Sequence, residues 1–183
     1  MSKNFFLETT RLRIRPLTMA DFDFFYSMQS DPEMMRFIRP PETDPAVIKS
    51  RIETMENYAA ENPGLGTFLG VHKPDGSIAA LCVLRHLEYQ PGNDLEVGYL
   101  IARNYWGQGL ATELTQALTE YGFGHFGVDL LKAVVDPENL ASQKVLLKCG
   151  FAPAGKRMIY DSENLEFVCK PSPPHSLFTN FHR

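Results

Sequence analysis

The chain has 183 residues, 44% of them apolar, and a formal net charge of −4 with no block of Lys and Arg. That length suits one domain with a substantial core, and the mild acidity makes nucleic acid an unexpected partner. No apolar run reaches the roughly 18 residues needed to cross a bilayer, the first residues lack a signal-peptide core, and Cys82, Cys149 and Cys169 show no CxxC spacing. The expectation is a soluble cytoplasmic protein with reduced thiols, no membrane partner and no metal site.

In chain order, "RLRIRPL" alternates polar and apolar residues up to Pro16 and reads as a half-buried strand. Thr18, with Asp21 in a capping-box position, opens a helix through "MADFDFFYSMQS", whose aromatic stripe reads as core packing ahead of a pocket wall. "DPEMMRFIRPPETDP" reads as a loop or a short helix. Asp44 and Pro45 then start a second helix carrying Ile48, Ile52 and Met55. "GTFLGVHKPDGSIAALCVLRHL" predicts two strands joined at the "PDGS" turn, and "DLEVGYLIA" a further strand.

Leu110, Leu114, Leu118 and Tyr121 recur at helical spacing, with Gly122, Gly124 and Gly127 expected to end that helix. "LLKAVVD" reads as a buried strand, Asn139 to Lys148 as a helix closed by Gly150, and "GKRMIYDSENLEFVCK" as two last strands around a turn. The expected organisation is one α+β domain over residues 1–170 and a loosely held tail over 171–183.

Between the strand "DLEVGYLIA" and its following helix lies "WGQGLATEL". A helix start presents unpaired N–H groups and the positive end of the dipole, a combination that suits phosphate. Gly107 and Gly109 remove side chains that would hold a diphosphate away. The loop lacks the Lys-Ser/Thr of a Walker loop and the third glycine of a dinucleotide fingerprint, so a plain turn competes evenly with a phosphate site at this point.

"EVGYLIARNYWGQGLATE", followed some 30 residues later by "NLASQKVLLKCGF", resembles the acetyl-CoA core of the GNAT superfamily of N-acetyltransferases. The opening "LETTRLRIRPLTMADF" and the "YWGQGLATE" variant resemble the branch of ribosomal-protein N-terminal alanine and serine acetyltransferases, with Trp106 where the wider family often has Arg or Gln. The resemblance implies a mixed, mostly antiparallel sheet of about six to seven strands, splayed near its middle and flanked by about four helices. It implies diphosphate contacts around Gly107, Gln108, Gly109, Leu110, Ala111 and Thr112. Leu100 and Ile101 are placed beside the pantetheine arm, with an N–H near Ile101 polarising the thioester carbonyl.

For proton transfer, the resemblance makes Glu96 the candidate base, against a structural ion pair as its alternative. The family's tyrosine acid falls at Leu146, which cannot donate; Ser142 takes that role by resemblance, against a plain capping serine. Asn139 is expected to contact pantetheine, to cap its helix, or both. Tyr99 reads as packing near the pocket, and Cys149 has no histidine nearby to make it a nucleophile. The expected reaction moves acetyl from acetyl-CoA directly to a primary amine, either a peptide N-terminus such as a ribosomal protein's or a small molecule. The alternative is a non-catalytic acyl-CoA-binding module, and a homodimer is expected from the branch.

Overall fold

The turn at Pro74–Ser77 folds as its composition prescribes: Gly76 takes φ +71°, and the Asp75 carboxylate accepts the Ser77 N–H at 2.9 Å. It joins β3 (Gly66–His72) to β4 (Ile78–His86). These lie in a computed structural model that describes residues 6–87, 92, 94–159 and 162–171. The tail beyond residue 171, expected to be loose, lies outside them.

The other strands are β1 (Leu7–Glu8), β2 (Leu12–Pro16), β5 (Leu95–Ile101), β6 (Leu131–Val135), β7 (Ala152–Ile159) and β8 (Ser162–Cys169). They form one eight-stranded sheet in the order β1-β2-β3-β4-β5-β6-β8-β7. Its pairs are antiparallel except β5 with β6. A parallel pair needs a long crossover, and helix α4 (Leu110–Phe126) supplies it. The strand beyond the expected six or seven is the two-residue β1.

Of the remaining helices, α1 (Phe22–Ser30) and α3 (Pro45–Glu61) start as expected. The Asp21 carboxylate accepts the Thr18 N–H at 3.0 Å, and Asp44 accepts that of Ala46 at 2.8 Å. The fifth helix is the four-residue α2 (Pro32–Met35), formed because Asp31 accepts from Glu33 N–H at 2.8 Å with Pro32 at the first helical position. Helix α4 runs past Gly122 and Gly124 and stops at Gly127, where φ is +59°. Gly122 is an interior glycine for a packing reason: a Cβ there would lie 3.2 Å from both Leu131 methyl carbons.

One face of the sheet packs against α4, which fully buries Leu110, Leu114 and Leu118 among Leu84, Leu95 and Leu131. Each such side chain contributes about 1.5–3 kcal/mol relative to exposure. The other face packs against α1 and α3 through Phe25, Ile48, Ile52 and Leu69, so the aromatic stripe of α1 serves the core. Helix α5 (Leu140–Lys148) lies beside α4 and β6.

Candidate active site

Strands β5 and β6 pair only at Leu95 with Leu131 and at Glu96 with Lys132. Beyond that point they diverge, and a cavity of about 650 Å3 occupies the fork. The ladder on the opposite side of β5 fixes which main-chain groups face the opening. Ala102 N–H donates to the carbonyl of Ala79 at 2.8 Å, so Ala102, Leu100, Gly98 and Glu96 direct their main chain toward β4. Ile101, Tyr99 and Val97 therefore direct theirs toward the fork. Leu100 contributes a side chain to the cavity, and the main-chain groups suited to an extended ligand arm belong to its neighbours Tyr99 and Ile101.

At the mouth of the fork stand the two glycines. Gly107 and Gly109 adopt φ of +73° and +79°, a left-handed region costly for residues with a Cβ. Glu113 N–H makes the first intrahelical bond, to the Gly109 carbonyl at 3.2 Å, so the N–H groups of Leu110, Ala111 and Thr112 precede the ladder at the positive end of a 17-residue helix. Gly107, Gly109, Leu110, Ala111 and Thr112 all line the fork cavity, as do Leu100, Ile101, Asn139 and Ser142. Gln108 does not: its side chain donates to the Asn104 carbonyl at 2.9 Å.

Three side chains brace this loop. The Arg11 guanidinium donates to the Gln108 carbonyl and to Glu113, both at 2.7 Å. Burial works to raise the Glu113 pKa, but bonds from Thr9 and Arg11 outweigh it and hold the carboxyl below its ordinary value. The Trp106 indole donates to the Ile101 carbonyl at 2.6 Å, fastening the loop to the end of β5. Arg103 reaches Asp31 and Glu33, both at 2.6 Å, and ties the loop to α2.

On the α5 side, Ser142 meets Tyr99, hydroxyl to hydroxyl, at 3.0 Å. Burial pushes Tyr99 up to about 12 against the pull of the Ser142 bond, so it stays a neutral hydroxyl at physiological pH. Asn139 caps α5, its side-chain oxygen accepting the Ser142 N–H at 3.1 Å. Leu146, at the family's tyrosine position, is buried. Burial raises Cys149 to about 11, which leaves it a poorly nucleophilic thiol.

Glu96 lies on the other face of β5. Its carboxylate is held by Arg85 Nε at 2.7 Å, and the side chain is 9% exposed. It does not line the fork cavity; Val97, the next residue, does. The ion pair weighed as its structural alternative is thus present. Among the described residues, no cluster of His, Cys, Asp and Glu could hold a metal, and no helix is long and apolar enough to cross a membrane.

Several contributors meet only in the folded chain. Tyr99 stands 43 residues from Ser142, and Arg11 stands 102 from Glu113, so no local pattern links either pair. Met34, Phe37 and Ile38 wall the fork from a segment read only as a loop or short helix.

An opening that combines anion-suited amides at a helix start with strand main-chain groups turned toward a fork suits a long, phosphate-bearing acyl carrier, which defines the class as a coenzyme-A-dependent acyltransferase. A family model of the acetyltransferase (GNAT) domain matches residues 11–152, and the chain belongs to that family of N-acetyltransferases. It is 30% identical to the uncharacterized N-acetyltransferase p20 of Bacillus licheniformis, over 85% of this chain and 86% of that protein. Its fold is similar to the ribosomal-protein-S5-alanine acetyltransferase from Vibrio fischeri, with TM-score 0.71 and 17% identity over 89% of this chain and 94% of that one. It is also similar to the spermidine N-acetyltransferase from Vibrio cholerae in complex with CoA and spermine, with TM-score 0.73 and 17% identity over 88% and 96%.

Proposed function

We propose that the chain transfers acetyl from acetyl-CoA to a primary amine by direct attack within a ternary complex in the cytoplasm. The observation that supports this most is the fork itself, opening onto both faces of the sheet with a glycine-led helix start at its mouth. The diphosphate is assigned to the amides from Gln108 to Thr112, and the pantetheine arm to the main chain of Tyr99 and Ile101. Acetyl-CoA supplies the activated thioester.

Side chains alternate across β5, so Tyr99 points to the face of α4 and α5 while Glu96 points to that of α1 and α3. This separation suits the reaction. The amine enters from the Glu96 face and loses its proton through water to that carboxylate. A main-chain N–H of β5 meets the negative charge developing on the carbonyl oxygen. As the carbon–sulfur bond breaks, Ser142 donates its proton toward the sulfur and takes one from Tyr99, which solvent reprotonates as Glu96 releases the amine's proton to water.

Glu96→Gln retains an acceptor for Arg85 and is expected to lower kcat about a hundredfold at neutral pH, with activity recovering as pH rises. An unchanged pH–rate profile removes Glu96 from the base role. Ser142→Ala is expected to lower kcat about tenfold with little change in coenzyme A affinity; an unchanged kcat assigns Ser142 to capping alone.

The acceptor is read as either a protein N-terminus or a small amine. The similar folds span both, one named for a ribosomal protein and the other for spermidine. Thiol release measured with a panel of amines and short peptides tests the activity. Intersecting initial-rate lines support the ternary complex, and coenzyme A binding without release from any acceptor would favour a non-catalytic binding module.

A further inference from the structure

A second cavity, of about 570 Å3, opens on the α1 and α3 face between α3 and the ends of β3 and β4. Arg39, Arg51 and Arg85 contribute to its wall, with Tyr58, Thr67 and His86. No carboxylate lines it among the described residues. Glu96 pairs with Arg85 at 2.7 Å and Glu42 with Arg51 at 3.3 Å, and both carboxylates stand outside the lining.

This cavity adjoins the fork at two places. Arg85 lies opposite Glu96 in the β4–β5 ladder, and Gly98, two residues further along the same face, lines the fork. Ile38 and Arg39 are consecutive, the first lining the fork and the second this cavity. Gly98 offers no side chain on that face of β5; a Cβ there would lie 2.9 Å from Val83. A molecule whose amine reaches the fork from this face thus extends its remainder toward the three guanidinium groups.

We infer that this cavity receives an anionic group, carboxylate or phosphate, carried by the amine acceptor a few bonds from its nucleophilic nitrogen. The inference rests on the reading of the fork as the site of acetyl transfer. Guanidinium groups match carboxylate and phosphate oxygens in geometry as well as in charge. Among the described residues the wall offers no carboxylate to the further ammonium groups of a polyamine, so it selects against spermidine while selecting for an acidic acceptor.

The test compares matched acceptors: 4-aminobutanoate with 4-aminobutanamide, phosphoethanolamine with ethanolamine, the peptide amide Ala-Glu with Ala-Gln, and spermidine as the cationic case. The acidic member of at least one pair is expected to exceed its neutral partner about tenfold or more in kcat/KM, with spermidine poorest. The responding pair tells a small acid from a peptide. In the double variant Arg39→Gln/Arg51→Gln the preference is expected to vanish through a rise of about tenfold in KM for the acidic acceptor, with the neutral partner unchanged.

Equal use of acidic, neutral and cationic amines overturns the inference while leaving acetyl transfer intact, as does a preference that survives in the double variant. If no amine is acetylated, the proposed activity fails instead. Calorimetric titration of 4-aminobutanoate, phosphoethanolamine and Ala-Glu amide into the coenzyme A complex then decides this inference by itself. Heat with at least one probe, lost in the double variant, sustains the anion site; no heat, or heat unaltered by the variant, removes it. Because Arg39 is exposed, Arg39→Gln alone serves as the variant should the double one fold poorly.

Discussion

Gly109→Val is expected to weaken coenzyme A binding by about a hundredfold. At φ +79° a β-branched residue costs at least 1–2 kcal/mol, and the loop can relieve that strain only by leaving the left-handed region, which turns its amides away from a bound anion. Space within the folded chain is not the obstacle, since a Cβ here would stand 3.6 Å from the Arg11 guanidinium, an ordinary contact. The valine methyls would instead project where the diphosphate is assigned. Together these effects reach about 2.7 kcal/mol, the equivalent of two decades in Kd. Trp106 is the chain's single tryptophan, half-exposed on this loop, so its fluorescence reports the titration directly. Gly109→Ala should fall between valine and the parent. An unaltered Kd for the valine variant would remove the loop from the binding site.

Asp21→Asn is expected to be the most destabilising of the proposed substitutions. Arg15 is 5% exposed and grips both Asp21 carboxylate oxygens, at 2.6 and 2.7 Å. Removing one member of a buried pair leaves the other charge uncompensated, at a cost of about 3–5 kcal/mol. For a chain of this length that lowers Tm by roughly 10–15 °C. Burial works to raise the Asp21 pKa, but the bonds from Arg15 and Thr18 prevail and hold it below the ordinary value. A depressed carboxyl contributes stability that is fully present above its unfolded pKa of about 3.9 and is lost as pH falls through the lower folded value. The gap in Tm between parent and variant should therefore be full at pH 7 and narrow below about pH 4. A gap that persists unchanged at pH 3 contradicts this account of the pair.

What the sequence made legible was local. The Pro74–Ser77 hairpin, the Asp44–Pro45 helix start and the glycines before α4 are written in residues a few positions apart, each acting through its own backbone geometry. The GNAT resemblance supplied the splayed sheet, and the β5–β6 register displays it. Side chains that meet only through the tertiary fold were illegible. Tyr99 read as packing because nothing near it in the chain names Ser142 as its partner. Trp106 gave no hint that its indole would fasten the loop to Ile101, nor Arg11 that it would brace the helix start. Of the three glycines expected to end α4 only Gly127 does so, because a glycine alone does not distinguish a helix stop from a point of close packing. Gly122 is the latter, and only the position of Leu131 reveals it.

The measurement that bears most directly on the central claim is a crystal structure of the coenzyme A complex. The diphosphate should accept hydrogen bonds from main-chain amides between Gln108 and Thr112, with the pantetheine lying in the fork along Tyr99 and Ile101. A diphosphate seated away from the start of α4, or a pantetheine outside the opening between β5 and β6, would contradict it.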